Sequence, residues 1–195
     1  MNSPQTSRKL PARAASLLFA LCLCLALAAP AAAQRREHLT PEEIELVRDN
    51  QELDLRTGVF IKAAERRLLA VTNPAESAKN APLEKEKWGE VQGSRVQLIY
   101  DISKILDEAV VNVDDAAEHN PESPLLRKSL YMLSEATARM LPELTKLREA
   151  APNEAEADQL DRALETAREI TDAAKAHGVT AEDLKVKAKT AKKND

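Results

Sequence analysis

Three histidines, His38, His119 and His177, are the side chains here best suited to holding a metal ion. Helical patterning puts His38 ahead of the first long helix, His119 at the end of the second and His177 at the end of the fourth. In a bundle whose helices alternate in direction, those three points share one pole. Imidazoles gathered there could hold zinc, copper or nickel. The two helix-terminal histidines have a simpler use as well. A cation in a last turn suits the helix dipole, and its N–H can bond a free carbonyl.

No His-x-x-x-His, Glu-x-x-His or His-Glu-x-x-His spacing occurs, so the di-iron and zincin patterns are missing. There is no glycine-rich phosphate loop and no Gly-x-Ser-x-Gly elbow. Met132 and Met140 invite a haem-ligand reading. Met140 lies on an apolar helix face, however, where methionine is commonly filler, and no histidine shares that seam. No cofactor is expected. With no base, nucleophile or oxyanion constellation in view, the chain reads as a binding or structural protein and not an enzyme.

The N-terminus gives a destination. Arg8, Lys9 and Arg13 precede an apolar run from Ser16 to Ala29, followed by Pro30-Ala31-Ala32-Ala33. That order predicts a secretory signal peptide over 1–33, cleaved after Ala33. The run is shorter than the roughly 20 residues a membrane span needs, so no span is expected in the mature chain. Cys22 and Cys24 fall inside the leader, and each follows a leucine, which does not fit lipidation. The mature chain then has no disulfide, thiolate ligand or thiol nucleophile. Removing the leader's three basic residues from the 28 in the chain leaves 25 against 32 acidic ones, a balance of −7. That balance argues against a nucleic-acid partner.

The elements that would position any site are helical. Glycine is limited to four residues and aromatics to 3%, while Ala, Leu, Glu and Lys abound. The fold class expected is all-α: an up-down-up-down four-helix bundle over 40–178, after a short arm at 34–39. The first helix is predicted over 40–72, with Thr40 as N-cap, Pro41 at the first position, Glu43 completing a capping box, and Leu39 and Ile44 as a staple. Leu46, Leu53, Phe60, Ala64, Leu68 and Val71 form its main face. Val59, Leu55 and Leu69 fall off that face, so it should touch more than one neighbour.

Asn73-Pro74 ends that helix, and 73–93 reads as a long loop with one helical turn near Trp88. The alternative is a helix from Leu83 onward, at a cost of about 1 kcal/mol for each interior glycine. Further helices are predicted over 94–119, 123–150 and 153–177. Leu126, Leu130, Leu133, Met140 and Leu144 face the core of the third, and Pro142 should kink it. The short connections after the second and third helices make antiparallel neighbours. Residues 179–195 read as a short helix start capped by Thr180 and Asp183, then a disordered Lys-rich tail. Asn50, Thr57 and Thr137 fall on apolar faces. They mark either a polar pocket or, more simply, side chains bonded to nearby carbonyls.

Leu39-Thr40-Pro41-Glu42-Glu43 is similar to the Leu-Thr-x-x-Gln signature of the Spy/CpxP family of periplasmic helical proteins. The resemblance spans five residues, and Glu43 stands where the family has glutamine. The same five residues also satisfy a capping box in full, and no family function is carried over. The expectation is an exported, periplasmic or secreted, non-catalytic bundle that binds an unknown protein partner or acts as a scaffold in the cell envelope. The first alternative is a small metal-binding bundle built on the three histidines. The second is a chaperone-like periplasmic protein, which would show an exposed apolar groove of several hundred Å².

Overall fold

The computed structural model describes residues 37–186. The leader expected over 1–33, the start of the arm and the Lys-rich end from 187 lie outside the described residues. Among the described residues the protein is all-helical, with six α-helices, a closing 3-10 turn and no strand.

α1 (Pro41–Asp49) begins where the capping signal stands. Thr40 Oγ1 accepts from the Glu43 N–H, and the Glu43 carboxylate accepts from the Thr40 N–H. The helix does not run on to residue 72. It stops at Asn50, whose backbone is extended and whose N–H and side-chain amide both donate to the Leu46 carbonyl. The Arg56 guanidinium then bonds the Asn50 carbonyl. The break thus satisfies groups that a continuous helix would use otherwise, and α2 starts afresh (Leu53–Thr72).

The loop expected over 73–93 is also corrected. α3 occupies Pro74–Trp88, and α4 follows at Arg95–His119. Asn73 ends α2 and caps α3 together: its N–H bonds Leu69 O, and its side chain accepts from the Glu76 N–H. Asn73-Pro74 is therefore both a stop and a start, since proline suits a first helical turn. Pro82 lies within α3, and Gly89 closes it at φ 67°.

α5 (Pro124–Glu149) is capped by Ser123 and continues through Pro142. α6 (Glu154–Ala176) is capped by Asn153, and the 3-10 turn (Ala181–Lys185) has the Thr180/Asp183 box. At the start of α5 the buried residues are Leu125 and Ser129, not Leu126 and Leu130. Leucine spacing misplaced that face by one residue because a small Ser129, fully buried, takes the inward position.

One core joins α2, α4, α5 and α6, with Phe60, Ile99, Ile102, Ile105, Leu106, Leu133, Met140, Leu144 and Leu160 all at 2% exposure or less. Side-chain pairs fix the directions. Asp54 meets Lys128 and Glu65 meets Arg139, so α2 and α5 run the same way. Arg95 meets Glu156 and Asp107 meets Thr166, so α4 and α6 also run together. Arg148–Asp161, and Arg127 Nη1 on the His177 carbonyl at the end of α6, make α5 and α6 antiparallel, and Arg95 Nη1 on Val71 O does the same for α2 and α4. The well-packed pairs are α2·α4, α4·α6, α6·α5 and α5·α2. α4 and α5, joined by a tight turn, touch only sparsely, so that connection crosses a diagonal instead of joining neighbours.

Candidate functional site

The sequence-selected histidines do not meet. His38 Nε2 lies 2.5 Å from Glu108 Oε2, midway along α4. His119 Nδ1 bonds the Asp115 carbonyl at 2.8 Å, closing its own helix, and His177 caps α6. Glu108 and His119 are eleven residues apart on one helix, about 16 Å along its axis. A single ion bonded to imidazole nitrogens at roughly 2 Å cannot bridge that gap. Among the described residues no group of three His, Cys, Asp or Glu side chains is placed to hold a metal. The expected three-histidine pole does not form, because the arm before α1 runs along the side of α4 and not across its end.

The polar residues flagged on apolar faces serve their own helices. Thr57 donates to Leu53 O, Thr137 to Leu133 O, and Asn50 to Leu46 O. Met140 is core, and Met132 packs against that core beside Gly58.

A different cluster emerges where α1, α2 and α3 converge. Glu43 is fully buried. Its Oε1 accepts from Arg66 Nη1 at 2.5 Å and from Arg67 Nη1 at 2.6 Å, while Oε2 accepts from the Thr40 N–H at 2.9 Å. Arg66 and Arg67 are only 6% and 3% exposed. Arg66 also donates from Nε to Glu84 at 3.0 Å, and to the carbonyls of Trp88 at 2.9 Å and Gly89 at 2.6 Å. Arg67 donates to His38 O and Ala63 O. One carboxylate, two guanidiniums and five carbonyl or carboxylate partners thus pin the arm, α1, α2 and the end of α3 together.

Burying ions is costly unless the geometry supplies compensating bonds, and here it largely does. Arg67 Nε alone remains without a partner. This arrangement cross-links the elements that supply its members. Thr40 Oγ1 adds a bond to Trp88 O. Gly89 is required at this junction: its φ is +67°, and a Cβ would lie 2.8 Å from Thr40 Oγ1 and run into the Glu42 carboxylate.

Beside the cluster, α2 and α3 enclose a cleft of about 500 Å³. Lys62, Arg66, Leu69 and Ala70 line one wall, Ser77, Ala81 and Glu84 the other, and Val91 the end. Glu84 bridges the walls, reaching Lys62 Nζ at 2.8 Å and Arg66 Nε at 3.0 Å. Burial alone would raise its carboxyl. Hydrogen bonds and charge from Lys62 and Arg66 outweigh that and hold it below the ordinary glutamate value. The Trp88 ring takes the Arg66 guanidinium at 6.0 Å and Lys87 Nζ at 5.6 Å from its centroid. α3 itself has no buried residue, and Leu83 on it is 84% exposed.

Sequence reasoning missed this site. The available signal was Arg67, which interrupts the Phe60, Ala64, Val71 stripe at an inward position. A charged residue on an apolar stripe calls for a buried counter-charge. Comparison of the chain with protein-family models, with curated proteins and with solved structures finds no match in any of the three.

Proposed function

We propose that this is an exported, non-catalytic helical-bundle protein that works by binding a partner in the envelope or outside the cell. The basic start, apolar run and Ala-Ala-Ala exit of residues 1–33 support export. The four long helices serve as the frame, with directions that alternate along the chain and a ring order of α2, α4, α6, α5. α3 and the cleft beneath it are the contacting element. One observation carries that choice: a 15-residue helix with no fully buried residue, only half-buried ones on its inward side, tied to the frame by the Glu84 ion pairs. Helices of globular proteins gain most of their stability by burying an apolar face. One that is at most half-buried, and shows Leu83 to solvent, has its outer face available for another molecule.

A photo-crosslinking residue placed at Leu83 and, separately, at Val111, an exposed position on α4 (63%), tests this in the exporting cell. The expected result is a discrete adduct from position 83 and none from 111. Equal labelling at both sites, or none at either, removes α3 as the contacting element. Mass measurement of the exported chain should place its first residue at Gln34.

A further inference from the structure

This inference rests on the reading of α3 as the contacting element and says what that element guards. Among the described residues, the ion pairs that join α3 to α2 all pass through Glu84. The C-terminal end of α3 is fixed separately, by Arg66 and Thr40 on the carbonyls of Trp88 and Gly89. The turns from Pro74 to Glu84 are held loosely, since their inward positions are half-buried and none is fully buried. The chain bends sharply at both ends, at Asn73 before α3 and at Gly89 and Gly93 after it.

Under Glu84 the two cations stand one helical turn apart on the same face of α2, at positions 62 and 66. Arg66 is anchored by Glu43 and two carbonyls and is nearly inaccessible, so its Nε is presented in a fixed place. Leu69, Ala70 and Val91 supply an apolar floor beside it. A fixed guanidinium and a partly exposed ammonium over an apolar floor make a seat for a carboxylate with aliphatic neighbours. Glu65 and Glu90 stand at the rim and disfavour a run of acidic residues.

We propose that α3 is an autoinhibitory strap, in which Glu84 occupies a Lys62–Arg66 seat that receives a carboxylate from a mainly aliphatic peptide segment of the partner. The partner binds by displacing Glu84, and the first turns of α3 swing clear of the cleft as it does. A site closed by its own chain shows an apparent affinity reduced by the fraction of molecules that are open.

Trp88, the chain's only tryptophan, stands at the fixed end of the strap with the Arg66 guanidinium 6.0 Å from its ring centroid, so a change of partner at Arg66 should alter its emission. The probe is an acetylated, amidated peptide with one glutamate among alanines and leucines, titrated into the purified exported protein. Wild type should give a weak saturable change in Trp88 emission. Glu84→Gln should bind about tenfold more tightly, because the internal competitor loses its charge. Adding Lys62→Met should remove that gain, and a peptide with glutamine for glutamate should not bind either form. A Glu84→Gln protein that binds no better, or a glutamine peptide that binds as well, overturns the proposal.

Hydrogen exchange on the same proteins keeps the two readings apart. Glu84→Gln should speed exchange in α3 and leave α2 and α4 unchanged. Equal loosening of all three ends the strap idea, while the adduct test from position 83 decides separately whether α3 meets a partner.

Discussion

Glu43→Ala tests whether the buried ion cluster holds the first three helices together. The carboxylate is fully buried and is shared by two guanidiniums that are themselves almost inaccessible. Its removal leaves Arg66 with Glu84 and two carbonyls, and Arg67 with carbonyls alone. Arg67 is then a buried cation with no counter-charge, and its Nε is already unpaired. Breaking a buried pair by deleting one partner costs about 3–5 kcal/mol. Against a total domain stability of roughly 5–15 kcal/mol, that is a large share.

Urea unfolding followed by helical circular dichroism should show the midpoint falling at constant slope. Glu43→Gln keeps an acceptor for the Thr40 N–H and should lose less. Glu45→Ala is the control: its pair with Arg48 is exposed on both sides, and it should change stability by under about 0.5 kcal/mol. If Glu43→Ala costs no more than that control, the cluster is not what joins these elements, and the reasoning fails.

Gly89→Ala should lower the melting temperature more than Gly178→Ala does. Both glycines have positive φ, but only at Gly89 does the new Cβ meet other atoms. Left-handed strain alone costs about 1 kcal/mol, so Gly178→Ala sets the baseline in a thermal melt. Leu83→Ser should change urea stability by less than about 0.5 kcal/mol because the side chain is in water, whereas Phe60→Ala should cost about 3–5 kcal/mol. The strap should also respond to acid. A carboxyl held below its ordinary value stabilises the folded arrangement above that value and stops doing so as pH falls through the depressed one. For Glu84, facing Lys62 and Arg66, the change lies below pH 4.5. Trp88 emission should shift there on acidification, and the shift should vanish in Glu84→Gln.

Much of the helical framework could be read from single residues because caps are local. Thr40 with Glu43, Ser123 before Pro124, Asn153 with Glu156, and Thr180 with Asp183 all stand where the structure starts an element. The break at Asn50 was hidden because the apolar stripe keeps its phase across it, and no proline or glycine marks it. α3 was hidden for the opposite reason: its half-buried side is mostly polar, with Glu76, Ser77, Asn80 and Glu84, so it displays little apolar period, and its two prolines read as loop. The cluster was out of reach of local patterning altogether. Glu43 satisfies its capping role within three residues, yet its second oxygen is engaged from 23 and 24 residues away. The five-residue resemblance departs from its signature at this same Glu43, and a glutamine there would bring no charge to meet the two arginines.

The diagonal connection between α4 and α5 bears on the order of folding. α5 and α6 can find each other across a short span, since Arg148 and Asp161 are 13 positions apart. The parallel contact of α2 with α5 closes over 74 positions, from Glu65 to Arg139. By the logarithmic law for loop closure, the longer span costs about 1.5 kcal/mol more in chain entropy. Two hairpins, α2 with α4 and α5 with α6, can therefore form early, with docking side by side as the slower event. A tether that lengthens the turn at residues 120–123 would slow that docking and leave each hairpin's own formation untouched.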